Sequence, residues 1–297
     1  MTATGLVVAT YSRRMQLLLP DGRRVDARIK GKRIKPVCGD RVEAEPIPDE
    51  PDWLITAVCA RRNELTRPNL RGKIEVLAAN IDRLLVMAAP APVPDWSIVD
   101  RYLCAAELTG ASAAVIFNKS DLRAAESVDE VLNDYTRIGY QAVRCSAKQG
   151  LNIDAVAALM RDGVSIIVGQ SGVGKSSLIN RLQQDDRQRV SAVSDKSGEG
   201  RHTTVNSAML QLPGGGAVID SPGVRDYAPA LRSEEVVAGY REISAAAQDC
   251  RFANCRHLRE PACAVKEAVE KGTISKRRYD SYRHLLALTE KLTRKTY

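Results

Sequence analysis

The chain has 297 residues, 44% of them hydrophobic and 27% charged, with a net charge of +8. This composition excludes an intrinsically disordered chain, and the length suits about two domains of ~150 residues or three smaller ones. No apolar run reaches the ~18 residues of a membrane span, and the first residues do not begin a signal peptide, so we expect a cytoplasmic protein without a membrane partner. The positive charge favours a polyanionic partner such as nucleic acid.

The N-terminal region is typical of a small basic β-barrel. Strand-like segments run over residues 5–12, 15–19, 25–29 and 40–45, with turn signals between them. Lysines and arginines crowd this region between Arg13 and Arg41. A barrel of about five short strands with this charge predicts an OB-fold that presents a strand face to RNA, although an SH3-like barrel would have the same pattern.

An α/β pattern follows a predicted linker at residues 63–69. After Ile74, apolar runs typical of buried parallel strands alternate with helical stretches. The predicted strands are residues 83–88, 113–117, 141–144, 165–168, 208–212 and 217–219. The predicted helices are residues 98–108, with Asp95 or Ser97 as the N-cap, and residues 177–183.

Two loops of this region indicate guanine recognition. Asn118-Lys119-Ser120-Asp121 follows a predicted strand, and the Asp121 carboxylate can accept both N–H donors of the guanine N1/N2 edge, a pair that adenine lacks. Ser146-Ala147-Lys148 follows the next predicted strand and can supply a backbone N–H to the guanine O6. The second motif is uninformative alone and gains its meaning from the first.

A phosphate-binding loop comes next. Gly169-Gln170-Ser171-Gly172-Val173-Gly174-Lys175-Ser176 matches the P-loop pattern, follows an apolar strand and opens a helix, which is the context this motif requires. Its glycines let backbone N–H groups surround the β-phosphate, Lys175 reaches the β- and γ-phosphates, and Ser176 binds Mg²⁺.

Two further segments resemble the switch loops of GTPases. The polar stretch 194–204 ends in His202-Thr203-Thr204, and the sequence leaves open which threonine completes the Mg²⁺ shell. Asp220-Ser221-Pro222-Gly223 follows a strand, so Asp220 can hold the Mg²⁺ shell while Gly223 senses the γ-phosphate. Val224 stands where many GTPases carry the glutamine that orients the attacking water. His202 is the candidate substitute, with a surface histidine on a loop as the alternative.

The order of these motifs is circularly permuted, because the guanine loops precede the P-loop. A permuted chain can build the same sheet, since the fold depends on which strands are neighbours. The loop after Asp220 then leads directly into the C-terminal region.

Four residues near the C-terminus form the pattern C-x4-C-x-H-x5-C, namely Cys250, Cys255, His257 and Cys263. Three thiolates and one imidazole suit tetrahedral Zn²⁺, and four protein ligands make the site structural. The alternative is a set of reduced thiols without metal. Cys38, Cys59, Cys104 and Cys145 stand apart and are interpreted as small apolar residues. The rest of this region has a helical pattern, with a second basic cluster between Lys276 and Lys295.

The whole chain resembles the ribosome small-subunit-dependent GTPase family (RsgA/YjeQ), which assists small-subunit maturation in bacteria. The likeness rests on the permuted motif order, the basic barrel, the cysteine spacing and five further segments. These segments are Arg67-Pro68-Asn69, Ala78-Ala79-Asn80-Ile81-Asp82, Asp100-Arg101-Tyr102-Leu103, Gly200-Arg201-His202-Thr203-Thr204 and Arg278-Tyr279-Asp280-Ser281-Tyr282. One departure is Val205, where the family frequently has a third threonine.

The resemblance implies an OB-fold N-terminal domain, slow GTP hydrolysis that the small ribosomal subunit accelerates, and a role in late subunit maturation. It also implies a catalytic histidine in place of glutamine, which maps onto His202. The residues assigned as catalytic are therefore His202 and, from the P-loop, Lys175. The expected domains are an OB-fold RNA-binding domain at 1–66, a circularly permuted GTPase domain at 67–228 and a helical zinc-binding domain at 229–297. The expected partners are the small subunit with its rRNA and GTP or GDP, bound by a monomer.

The sequence therefore predicts a GTPase with one structural Zn²⁺ and with Mg²⁺ bound beside GTP. The Mg²⁺ ligands are assigned as Ser176, Thr204 and Asp220. The residues assigned to GTP are Asn118, Lys119, Ser120, Asp121, Ser146, Ala147, Lys148, Gly169, Gln170, Ser171, Gly172, Val173, Gly174, Lys175, Ser176, Ser177, Thr203, Thr204, Asp220 and Gly223. One rival hypothesis is an RNA-binding module that senses GTP or GDP with little turnover. Another is a regulatory GTPase with a protein target, which the two basic clusters disfavour.

Overall fold

The computed structural model describes residues 2–11, 14–31, 33–68, 73–125, 127–190, 205–221, 231 and 233–295. The strands are β1 Ala3–Tyr11, β2 Met15–Leu18, β3 Arg24–Ile29, β4 Arg41–Pro46, β5 Trp53–Val58, β6 Glu64–Pro68, β7 Ile74–Ala79, β8 Arg83–Ala88, β9 Ser112–Phe117, β10 Gln141–Arg144, β11 Val164–Gly169, β12 Val205–Gln211 and β13 Ala217–Asp220. The helices are α1 Trp96–Thr109, α2 Ser127–Arg137, α3 Ile153–Met160, α4 Lys175–Val190, α5 Arg241–Ala247, α6 Ala264–Glu270 and α7 Lys276–Lys295, with a 3-10 turn at Val237–Gly239. Within these described ranges, no helix has both the length and the apolar character needed to cross a membrane.

Strands β1 to β5 form the expected barrel. Their order is β1-β2-β3-β5-β4, and β4 pairs back onto β1, which closes the barrel. Side chains alternate between the barrel core and solvent, as the two-residue period of a strand requires, and Val7, Leu17, Val42 and Ile55 fill the interior. The OB-type barrel is therefore confirmed, and its fifth strand is β5, for which the sequence pattern gave no separate prediction.

The central sheet has the strand order β10-β9-β8-β11-β13-β12. All neighbours are parallel except β12 and β13, which are antiparallel. Helices α1 and α2 cover one face and helices α3 and α4 cover the other. The buried apolar runs predicted for a parallel sheet are confirmed, because β8 and β11 bury side chains on both faces. The carboxyl ends of β8, β9, β10, β11 and β13 consequently meet at one edge of the sheet.

Strand β1 belongs to both the barrel and the central sheet. Its first half pairs with β4, while its last residues pair with β12, with Ala9 opposite Ala208 and Thr10 opposite Ser207. The barrel and the central sheet are therefore hydrogen-bonded into one eleven-stranded sheet.

The prediction of a linker at residues 63–69 was wrong. Residues Glu64–Pro68 form β6, which pairs with β7 as an antiparallel hairpin. Proline at a strand end suggested a break, but Pro68 is the last residue of a strand with only one neighbour, where a missing N–H is tolerated. The start of the next segment is fixed to the barrel, because the Ala79 N–H donates to Cys38 O (3.1 Å) and Asn80 Nδ2 donates to Gly39 O (2.9 Å).

The C-terminal helices have their own core and dock on α1. Tyr240, Ile243, Val265, Tyr282 and Leu285 form this core, and it includes Cys104 of α1. The segment 233–295 contains no strand, in agreement with the sequence pattern.

A buried charge network fixes the C-terminal helices to α1. Arg278 Nη1 donates to Asp100 Oδ1 (2.8 Å), and Arg277 Nη1 donates to Asp100 Oδ2 (2.9 Å). The Tyr135 hydroxyl also donates to Asp100, while Glu242 accepts two hydrogen bonds from Arg278. The side chains of Asp100 and Arg278 are both 0% exposed. Any other orientation of the C-terminal helices on α1 would leave one of these charges buried without its partner. The network therefore favours the observed orientation of these helices.

Removing the charge of Asp100 should destabilise this junction. We expect Asp100→Asn to lower the free energy of unfolding by about 3–5 kcal/mol, because two arginines lose their buried counter-charge. Urea unfolding followed by circular dichroism measures the change. The control is Asp280→Asn, whose exposed pair with Lys276 should contribute less than about 1 kcal/mol. Equal losses in the two variants would contradict this account of the junction.

Candidate functional site

The P-loop connects β11 to α4, and its glycines are required by close contacts. Gly169, Gly172 and Gly174 have φ angles of +135°, +82° and +96°, which favour glycine. A Cβ atom at Gly169 would lie 2.2 Å from the Met87 carbonyl oxygen, and one at Gly174 would lie 2.5 Å from Asn118 Nδ2. The backbone therefore turns tightly at the N-terminus of a long helix, where N–H groups and the helix dipole favour an anion.

Lys175 folds back over this turn. Its ammonium group donates to the carbonyl oxygens of Gly169 and Gln170, both at 2.7 Å. Ser176 follows as an exposed residue of the first helical turn. A cation and a hydroxyl therefore lie at the helix N-terminus, as phosphate and Mg²⁺ binding requires.

Asn118 joins the guanine loops to the P-loop. Its side chain is 2% exposed, with Nδ2 donating to Val173 O (2.9 Å) and Oδ1 accepting from the Ala147 N–H (3.0 Å). Lys119 adds a second link, because its Nζ donates to Gly172 O (2.7 Å). Three loops that are distant in the chain are thus brought together at one edge of the sheet.

Asp121 lies in this group with an exposed carboxylate. The Ser146 hydroxyl donates to Asp121 Oδ1 and accepts from the Gln149 N–H. The hydrogen bond from Ser146 holds the pKa of Asp121 below its usual value. The carboxylate is consequently ionised at neutral pH and can accept N–H donors from a base.

The loop between β8 and α1 is a part of the site that the sequence interpretation missed. The Ala91 carbonyl accepts from Lys119 Nζ (2.6 Å), and the Asp95 N–H donates to Gln170 Oε1 (3.0 Å). Asp95 also caps α1 through its side chain, which settles the choice between Asp95 and Ser97. Three prolines after a buried strand, at positions 90, 92 and 94, were the available signal of a rigid loop at the functional edge.

The switch residues are only partly described. Asp220 ends β13, is half-buried, and lies at the same edge as the P-loop because β13 is parallel to β11. In the parts of this segment that the structure describes, residues 175–190 and 205–220, one helix and two strands lie between the P-loop and the end of β13, as predicted. His202, Thr203, Thr204 and Gly223 lie outside the described residues, as do the stretch 194–204 and Val224.

Cys250, Cys255, His257 and Cys263 converge on one point. Their ligand atoms all lie within 4.8 Å of one another, and the His257 Nδ1 to Cys263 Sγ distance is 3.4 Å. Zn–S bonds of ~2.3 Å in a tetrahedron place sulfur atoms about 3.8 Å apart, close to the 3.9 Å between Cys250 and Cys263. The donor set therefore fits zinc. The other cysteines form no disulfide; Cys38, Cys104 and Cys145 are buried and Cys59 is half-buried.

Burial sets the protonation of this cluster. Desolvation raises the pKa of Cys255 to about 12 and lowers the pKa of His257. A neutral imidazole is ready to bind a metal, whereas the thiols need a cation that stabilises their thiolates.

Glu260 organises the loop between the ligands. Its carboxylate accepts from the backbone N–H groups of Arg256 (3.0 Å), Leu258 (2.9 Å) and Arg259 (3.0 Å). Desolvation raises the pKa of Glu260, but these hydrogen bonds outweigh it and lower the pKa from 4.5 to about 2. The stabilisation is therefore present above pH 4.5 and is lost as the pH falls towards 2.

Comparison with known proteins identifies similar chains and folds. The family model described as RsgA GTPase matches residues 58–229. The "Small ribosomal subunit biogenesis GTPase RsgA" of Azotobacter vinelandii is 39% identical over 291 residues, which cover 95% of this chain and 84% of that protein. The crystal structure of YjeQ from Thermotoga maritima has a TM-score of 0.75 and 29% identity, covering 97% of this chain and 99% of that one. YloQ, "a circularly permuted GTPase", shares the fold with a TM-score of 0.74 and 24% identity, over 98% and 96% of the two chains.

The role of Asn118 can be tested without nucleotide. In Asn118→Ala the Ala147 N–H and the Val173 carbonyl lose their partner, so we expect the free energy of unfolding to fall by about 1–3 kcal/mol. Urea unfolding of the nucleotide-free protein measures the loss. Thr136→Ala, which removes one hydrogen bond on an exposed part of α2, is the control and should change stability by less than about 0.5 kcal/mol. A change in Asn118→Ala as small as in the control would show that the loops are joined by other contacts.

Proposed function

Because the chain belongs to the RsgA GTPase family, we propose that this GTPase binds the small ribosomal subunit and assists its late maturation. One observation carries the proposal: the buried side chain of Asn118 joins the guanine loops to the P-loop through two hydrogen bonds. This arrangement supports a site that reads guanine and phosphates together. The relatives named as small ribosomal subunit biogenesis GTPases supply the subunit as partner.

The roles of the site residues follow from their chemistry. The P-loop from Gly169 to Ser177 binds the phosphates, and Lys175 stabilises the charge that develops on them. Asp121 accepts the N–H groups of guanine, while the Ala147 segment lies beside the base. Ser176, Thr204 and Asp220 would hold Mg²⁺, which supplies neutralisation of the phosphate oxygens when it is bound.

His202 is proposed as the residue that orients the attacking water. The support is chemical, since the side chain of Val224 cannot hydrogen-bond to water and the imidazole of a histidine can. Gly223 would sense the γ-phosphate, and either Thr203 or Thr204 would complete the Mg²⁺ shell, with Thr204 as the working assignment.

Zinc is proposed as the structural ion of the C-terminal region. Four protein ligands leave no open position for catalysis, so the ion would stabilise the loop between α5 and α6. The loop at residues 248–263 contains no helix or strand, so it gains most from such a cross-link.

The proposed domain organisation is an RNA-binding barrel at 1–66, a permuted GTPase domain at 67–228 and a zinc-binding domain at 229–297. The N-terminal cations support contact between the barrel and rRNA. A monomer working in the cytoplasm, where ribosomes are assembled, fits this role. In this proposal the protein docks on the small subunit in its GTP-bound state and is released after hydrolysis. A module that only senses nucleotide would not need hydrolysis for its release.

GTP hydrolysis with purified ribosomal subunits tests the proposal. We expect the small subunit to increase the turnover number at least about tenfold, a barrier change of ~1.4 kcal/mol, because correct docking completes the catalytic site. Phosphate release is measured for the protein alone, with small subunits and with large subunits, and ATP serves as the nucleotide control.

Stimulation by small subunits alone, with ATP unhydrolysed, would support both the guanine site and the partner. Stimulation by neither subunit would remove the ribosome from the proposal and favour the sensing module. Equal use of ATP and GTP would contradict the role of Asp121.

The zinc assignment has its own test in Glu260→Ala. Three backbone N–H groups lose a charged acceptor, and a loss of at least about 1.5 kcal/mol corresponds to roughly tenfold weaker metal binding. Competition with a chromogenic chelator measures the zinc affinity. The control is Glu267→Ala, whose exposed carboxylate pairs with Lys271, and the zinc affinity of this variant should equal that of the wild type. Protein that contains no zinc after purification in metal-replete medium would refute the assignment.

A further inference from the structure

A groove of about 730 Å³ lies where the barrel meets the β6–β7 hairpin. The loop at residues 33–37 and the end of β5 form one wall, and β7 forms the other. Neither the barrel nor the hairpin alone encloses this space. Its size is within the ~300–1,000 Å³ typical of ligand-binding clefts.

Apolar atoms form somewhat more than half of the surface of this junction groove. Ile34, Val58 and Val76 are half-buried in it, whereas Ile74 is 66% exposed on the hairpin. A large aliphatic residue this exposed at a concave site is an available contact for an apolar ligand surface.

The rim of the junction groove carries more cations than carboxylates, and its one lining carboxylate, Glu75, lies 3.8 Å from Arg67. Arg33 and Lys35 are exposed, and none of the ion pairs observed in the described parts of the chain involves either residue. Arg61 has a different role, because Asp40 binds it through two hydrogen bonds of 2.8 Å and Glu64 binds it as well. Arg61 therefore fixes the wall, and the first two cations are left to face a ligand.

The combination of an apolar wall and a cationic rim selects the chemistry of the occupant. The ligand needs an anionic group beside an apolar body, and a nucleotide within RNA offers both, a phosphate and a base. A base inside a duplex is stacked and paired, so only an unpaired nucleotide can enter. The excess of cations in the N-terminal region favours RNA over an acidic peptide.

We propose that the junction groove binds an unpaired nucleotide of rRNA. Its phosphate faces Arg33 and Lys35, and its base packs against Ile34, Ile74 and Val76. The inference rests on the proposed function for its partner and adds a binding site that spans the barrel and the hairpin.

Cys59 is a built-in reporter of occupancy. It lines the groove and is half-buried, while Cys38, Cys104, Cys145 and Cys263 are either buried or part of the zinc cluster. The rate of its alkylation by iodoacetamide is measured by mass spectrometry of the peptide that contains Cys59, using the full-length zinc-loaded protein. We expect a saturating single-stranded oligoribonucleotide to slow this rate at least about tenfold, because a bound base shields the thiol. The same sequence as a blunt duplex should leave the rate unchanged.

Paired variants distinguish binding in the junction groove from non-specific attraction of RNA to positive charge. Arg33→Ala with Lys35→Ala should abolish the protection of Cys59 and reduce the slope of log affinity against log salt by about 0.7, because one phosphate contact is lost. Arg137→Ala with Arg161→Ala removes the same charge from exposed positions at the ends of α2 and α3, outside the barrel, and should retain protection and slope. Ile74→Ser tests the apolar wall and should weaken binding without changing the slope.

The possible outcomes distinguish failure of the junction-groove proposal from failure of the proposed function. Protection by the duplex, protection by polyglutamate instead of RNA, or equal effects of the two charge pairs would overturn the inference. Small subunits that stimulate GTP hydrolysis while Cys59 stays fully reactive in the complex would overturn the groove alone. Absence of stimulation would remove the ribosomal partner even if isolated RNA protects Cys59.

Discussion

The site depends on one buried amide. The guanine loops come before the P-loop in the chain, so covalent connection does little to set their relative positions. Asn118 sets them instead, with its donor on the P-loop and its acceptor on the Ala147 segment. Gly174 must be glycine because a Cβ there would collide with this amide. The glycine pattern of the P-loop and the asparagine of the guanine motif are therefore two halves of one contact.

Helix α1 links this site to the C-terminal helices. At its first turn, the Asp95 N–H donates to Gln170 of the P-loop, and one turn later Asp100 holds Arg277 and Arg278. The buried charge network leaves the C-terminal helices little freedom to rotate on α1. A force applied to those helices therefore acts on a rigid element that contacts the nucleotide loops directly.

The motifs could be predicted because their signals are local. The P-loop needs glycine at fixed positions between a strand and a helix, and the cysteine pattern lies within one short segment. Long-range contacts had no such signal, because Asp100 and Arg278 are 178 residues apart and nothing in the sequence around either residue indicates the other. The hairpin at Glu64–Ala79 was missed because Pro68 was interpreted as a break, although a strand end tolerates it. Helix α2 escaped prediction because its apolar positions are few and surrounded by polar residues. Helix α3 escaped prediction because its eight residues are nearly all apolar and too few to establish a helical period.

The pairing of β1 with β12 has a consequence for the order in which the protein folds during synthesis. Domains near the N-terminus fold first as the ribosome makes the chain. The barrel can close as soon as β5 emerges, but residues Ala9 to Tyr11 then keep an open strand edge until β12 appears. At 5–20 residues per second, the chain between β5 and β12 takes roughly 7–30 s to make. The nascent barrel therefore exposes an unpaired strand edge, which β12 covers once it has been synthesised. Residues Ala9 to Tyr11 are made early but acquire their full native strand pairing late.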